Sequence, residues 1–155
     1  MTRTGIADPS EYLGIYKSID DVPDMYSLSR LSVGYSDQDL WAEFIESRSH
    51  LSEATIKYTY GRLERLWKPF CEKRGINPAF PDPDDVEDFF AQQLAERSIQ
   101  TVYDSRFVPL FKFFEWLLHH TEYPHRYNPV VMAAVSGEAG FRLWEKRLEE
   151  CGVEK

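Results

Sequence analysis

Apolar side chains in this chain recur at helical spacing in every long segment, and nowhere do they alternate for long enough to build a strand. Ile56, Tyr60, Leu63, Trp67 and Phe70 are separated by 4, 3, 4 and 3 residues. That spacing puts them on one face of a helix. Leu40, Trp41, Phe44 and Ile45 make a second stripe, and Val86, Phe89, Phe90 and Leu94 a third. Ile99, Val102, Tyr103, Leu110, Phe113, Phe114 and Leu117 make a fourth, and Phe141, Trp144 and Leu148 a last, shorter one. A strand needs period two over several residues, and none is present. The fold class that follows is all-α: a compact bundle of four main helices with an extra C-terminal helix and no sheet.

Punctuation residues place the helix ends. Ser36, with Asp39 three residues on, is the expected N-cap of the first helix. Ser52 and Ser98 cap the second and fourth, and Asp82 followed by Pro83 opens the third. Asn128 followed by Pro129 starts a short helix that Gly137 and Gly140 break. Gly75 is placed to end the second helix, while Pro69 and Pro109 are expected to bend or split the helices that hold them. Residues 1–35 carry scattered Pro, Gly and Asp without a period, so an irregular arm is expected there. The expected division is therefore an arm over 1–35, a helical domain over 36–130 and a helical extension over 131–155, acting as a linker or a cap.

Composition narrows the class. At 155 residues and 43% hydrophobic, the chain suits a single folded core. No apolar run approaches the ~20 residues that span a bilayer, and the start carries no secretory signal. Cys71 and Cys151 lack metal-ligand spacing, which fits a reducing cytoplasm. His120, Glu122 and His125 sit at irregular spacing, too weak a pattern for a metal site. No cofactor, metal or small-molecule substrate is expected.

The formal net charge is −8, a poor overall match to nucleic acid. The stretch LSEATIKYTYGRLERLWKPFCEKRG, residues 51–75, runs against it. Lys57, Arg62, Arg65, Lys68, Lys73 and Arg74 outnumber Glu53, Glu64 and Glu72, giving +3. On a helical wheel, Lys57, Tyr58, Gly61, Arg62, Arg65 and Lys68 lie opposite or beside the apolar stripe. Arginine and lysine suit phosphates, arginine also suits guanine edges, and Gly61 would let a backbone approach. In the fourth helix, Gln100, Thr101 and Arg106 are polar and early enough to reach the same duplex. Lys146 and Arg147, on the last helix, lie outside this face.

Two helices share one design: Ser52 with Thr55, and Ser98 with Thr101. An acidic helix, DVEDFFAQQL, lies between them, and Asn-Pro follows the second. This order resembles the core-binding domain of tyrosine recombinases, the phage-integrase family, over roughly residues 36–130. The resemblance implies a SAM-like helical bundle that clamps a recombination half-site, with double-stranded DNA and neighbouring recombinase protomers as partners. It also adds Thr55 to the expected DNA contacts. The pattern departs from the family at Thr59, where a Tyr is usual, and at Asp104 and Pro109. The His-x-x-Arg of the family's catalytic domain is missing, so the chain on its own is not expected to be an enzyme. Strand cleavage would belong to a parent recombinase, if this is a fragment. The rival class is a stand-alone helical protein-interaction or regulatory module. A basic cleft between the second and fourth helices favours DNA, and an apolar patch around Trp144 favours the rival.

Overall fold

Each long helix begins where a side chain satisfies its first free N–H groups. The computed structural model describes residues 8–151. The first seven residues of the expected arm and the last four of the expected extension lie outside the described residues. In chain order the helices are α1 (Pro9–Tyr12), α2 (Leu28–Leu31), α3 (Leu40–Ser47), α4 (Glu53–Thr55), α5 (Gly61–Arg74), α6 (Pro83–Glu96), α7 (Ile99–Val102), α8 (Val108–Leu118), α9 (Pro129–Ser136) and α10 (Glu138–Glu150). No strand occurs among the described residues. The protein is an all-α bundle.

Two joints depart from regular α geometry. The segment between α4 and α5, Ile56–Tyr60, is a π turn (π1). The segment between α7 and α8, Tyr103–Phe107, is another (π2). Both helices therefore run on from their serine caps but widen just after the first turn. Wide turns of this kind are rare and gather at functional sites. Pro109 is the second residue after π2, so its missing N–H falls in the first turn where regular bonding restarts. α5 does not end at Pro69 but continues to Arg74, and Gly75 closes it with φ 72°.

One cap differs from expectation. Ser36 does not start α3; Asp39 does, accepting from the Ala42 N–H at 3.1 Å. The carboxylate stands directly before Leu40, whereas Ser36 lies in the preceding turn. The remaining expected caps hold: Ser52 accepts from Thr55 N, Ser98 from Thr101 N, and Asn128 from Val130 N and Val131 N.

The core is one continuous cluster from Leu13 to Leu148. Its centre is the helix π2–α8, which buries Tyr103, Phe107, Leu110, Phe113, Phe114 and Leu117. α3 covers one side, where Trp41 and Phe44 meet Phe113 at 4.9 and 5.4 Å between ring centroids. On another side, Phe90 of α6 meets Phe107 at 5.7 Å. Full burial of each such ring stabilises the fold by roughly 1.5–3 kcal/mol. The arm is tied into this core. Tyr12 packs on Phe111 and Trp144 at 5.7 and 5.6 Å and donates to Glu115 at 3.1 Å. Leu28 is fully buried.

The segment beyond residue 130 is part of the same core. α9 buries Pro129 through Ala134, and α10 packs on α9 and α6. The N-terminus of α10 has no side-chain cap of its own. Glu87 of α6 supplies one, accepting from Ala139 N and Gly140 N at 2.7 Å each. A Cβ on Gly140 would come within 2.8 Å of the Ala133 backbone. Gly140→Ala should therefore destabilise the protein by about 1–3 kcal/mol through overpacking, and Glu87→Ala by about 1–2 kcal/mol through two unpaired N–H groups. Urea denaturation of each variant measures these costs.

His125 is 4% exposed, and its Nε2 lies 2.6 Å from the Ala79 carbonyl oxygen. Burial pushes its pKa down to about 4, against the opposing pull of that hydrogen bond. Above pH ~6.5 the ring is neutral folded or unfolded. Below that, the unfolded chain takes up a proton that the native ring refuses until about pH 4. Stability contributed by the neutral ring should thus fall by roughly 3 kcal/mol between these pH values. His125→Gln should lack this component when urea midpoints are compared across the range.

Candidate nucleic-acid interface

The expected DNA face divides into residues that are open and residues that are not. Lys57, Arg62 and Arg65 are exposed, and Tyr58 is 58% exposed. The Lys57 ammonium lies 5.4 Å from the centre of the Tyr58 ring. Arg62 and Arg65 make no ion pair with any described residue. Gly61 is half-buried, and a Cβ there would meet only the end of Arg65 at 3.4 Å and the Ile56 carbonyl at 3.5 Å. No contact within the protein therefore requires glycine at this position.

The two serine–threonine pairs have matching geometry. Ser52 Oγ accepts from Thr55 N and donates to Thr55 Oγ1 at 3.0 Å. Ser98 does the same for Thr101 at 3.1 Å. Each threonine hydroxyl accepts from its serine, so its own proton is left to donate elsewhere. Thr101 is exposed and Thr55 half-buried. Gln100 is exposed, with its amide held by Asp104 at 2.9 Å.

Two expected contacts are placed otherwise. Lys68 is neutralised by Glu64 at 2.8 Å and Asp39 at 3.0 Å. Partial burial works against its charge, but the hydrogen bonds it donates to both carboxylates outweigh this and hold the ammonium above its ordinary pKa. It joins α5 to α3 and is not open to a phosphate. Arg106 does not point outward: it is 5% exposed. Its Nε donates to Gln93 Oε1 at 2.8 Å, and its Nη1 to Ser105. Val102, Leu110 and Phe113, four before and four and seven after it, are all buried, so Arg106 lies within the apolar stripe.

Position within the bundle adds a residue that the sequence reading passed over. Arg97 is the exposed C-cap of α6, directly before Ser98. It follows Gln93 by one turn on the same face, which brings it towards Arg106. The sequence signal was present: Arg97 is the one base in the acidic stretch 76–97. α5 packs against π2, so Arg62, Arg97 and Arg106 come from three elements to one junction. Several other bases are occupied. Arg74 binds Asp85 and Asp88 at 3.0 Å each, and Lys146 lies near Glu149 and Glu150. Arg147 sits among the rings of Tyr12, Phe111 and Trp144 at 4.8–5.3 Å and belongs to the core.

Other chemistries find little support in the geometry. Among the described residues, no three His, Cys, Asp or Glu are grouped to hold a metal ion. Both cysteines are free, and burial pushes the Cys71 thiol well above its ordinary pKa. No helix among the described residues is long and apolar enough to cross a membrane. No protein-family profile, curated protein or solved structure matches the chain.

The Lys68 geometry sets an expectation. Lys68→Gln should cost less than about 1 kcal/mol of stability, since the ion pairs are partly exposed. It should leave the salt dependence of any DNA binding unchanged. Urea denaturation and binding across a salt series check the two halves.

Proposed function

We propose that this chain is a duplex-DNA-binding module of the tyrosine-recombinase core-binding type, with its DNA surface on π1, the start of α5 and the start of the α7–π2 helix. One observation carries this reading. In a protein of net charge −8, Arg62, Arg65, Arg97 and Arg106, on α5, the end of α6 and π2, have no carboxylate partner among the described residues, while Lys68, Arg74 and Lys146 are paired. Unpaired arginines on elements that pack together leave a local positive field on an acidic molecule, and a backbone contact needs only a local one. Lys57, Tyr58 and Thr101 rim the same surface, and Gly61 leaves its centre flat.

In this reading the module holds a half-site beside other protomers. Strand chemistry belongs to a separate domain, in keeping with the absent His-x-x-Arg. The free thiols fit a reducing cytoplasm. The interaction-module alternative is weakened at its own criterion: Trp144 and Leu148 are buried, and of that stripe only Phe141, 43% exposed, faces outward.

Fluorescence anisotropy with a short labelled duplex of mixed sequence, starting at low salt, tests the reading. Replacing Arg62 and Arg65 together with Gln should reduce the slope of log K against log salt by roughly 1.8, at ~0.9 per phosphate. Arg142→Gln, on α10, should change nothing. Gly61→Ala should stabilise the helix by about 0.5–1 kcal/mol yet weaken binding. Equal affinity and slope in the wild type and the double variant would remove this face as the DNA surface.

A further inference from the structure

Arg106 is the one arginine within the central helix's apolar stripe, and its two hydrogen-bond partners are neutral. Gln93 offers an amide oxygen and Ser105 a hydroxyl. A cation at 5% exposure ordinarily faces a carboxylate, because desolvating an unpaired charge is costly. Here the neighbours are cations as well. Arg97 follows Gln93 of α6 by one turn, and Arg62 stands on α5, which packs against π2. Burial first, and then the charges of Arg97 and Arg62, push the Arg106 guanidinium below its ordinary pKa. Guanidiniums from three elements thus act on one another here, and no carboxylate is among the charges that shift Arg106.

We propose that Arg106, Arg97 and Arg62 form a recessed oxyanion cradle that takes one phosphate group, Arg106 from beneath and the two exposed arginines from the rim. A guanidinium presents a rigid fork of donors matched to two oxygens of a phosphate. Gln93 and Ser105 fix the plane of that fork before the ligand arrives, which lowers the ordering cost of binding. That the phosphate comes from a DNA backbone rests on the reading above; inorganic phosphate offers the same chemistry. Arg106 would then set where a duplex seats without reading its sequence.

The test uses the full chain. Arginine Nε–Hε signals are followed by NMR as potassium phosphate replaces potassium chloride at matched ionic strength. The Arg106 signal should move saturably with phosphate and not with chloride. Arg97→Gln and Arg62→Gln should each weaken that response severalfold. In the duplex assay, Arg106→Gln should weaken binding about tenfold at low salt and reduce the salt slope by about 0.9, whereas Arg106→Lys should keep most of the slope. The thermal midpoint of Arg106→Gln should stay level or rise, because a repelled buried charge is removed. A merely structural arginine would lower it. If Arg106→Gln fails to fold, Arg106 is structural and the cradle is wrong. If phosphate leaves the Arg106 signal still and the duplex slope is unchanged in Arg106→Gln, the cradle is likewise wrong. In that case a retained effect of the Arg62/Arg65 double variant would keep the DNA surface standing. If no duplex binds but phosphate still moves Arg106, the cradle stands with inorganic phosphate as its ligand, and the DNA reading falls.

Discussion

The architecture depends on one helix that is apolar on nearly every side. From Tyr103 to Leu118, residues on all faces are buried or half-buried, with Lys112 and Asp104 the main exceptions. Such a helix cannot lie on a surface; it must be surrounded. α3, α6, α9 and α10 meet that requirement, together with Tyr12 from the arm. The same demand explains why an apparently irregular first segment is tied down, and why the last helix turns its aromatic stripe inward. Aromatic edge and tilted contacts dominate the seam, and they favour a defined arrangement over a fluid one.

Charge is arranged around that core by pairing. The acids of α6 hold Arg74, and Asp39 and Glu64 hold Lys68, so these bases act as braces between helices. Arg106 of π2, by contrast, has only neutral hydrogen-bond partners. Arg62, Arg65 and Arg97 reach solvent, and Arg106 is buried. Net charge would have hidden this difference, because it counts bases without asking which are already neutralised.

Much of this was legible in the sequence, and the misses have physical causes. Period alone gave the fold class, because each long apolar segment must bury one stripe. Caps at Ser52, Asp82, Ser98 and Asn128 followed from local chemistry. The start of α3 slipped from Ser36 to Asp39 because two capping residues competed within one turn. Lys68 was half readable: Glu64 lies one turn before it, but Asp39 is brought by tertiary packing. Arg106 was readable and misjudged. Its spacing from Val102 and Leu110 put it inside, while its charge suggested outside, and spacing won. The π turns left no evident mark. Pro109 signalled an interruption, but nothing in Ile56–Tyr60 announces a widened turn.

The tie between Tyr12 and Glu115 spans 103 residues, and Tyr12 also rests on Trp144. During synthesis α1 must wait, its partners not yet made, until α8 and α10 have left the ribosome. Its Tyr12 and Leu13 stay uncovered throughout that interval. Contacts of this reach are slow to close and come late in folding. The arm is therefore a latch fastened after the bundle has assembled. A protein that lost α10 would lose the latch's seat as well as a helix, and its unfinished chain would be open to proteases at both places.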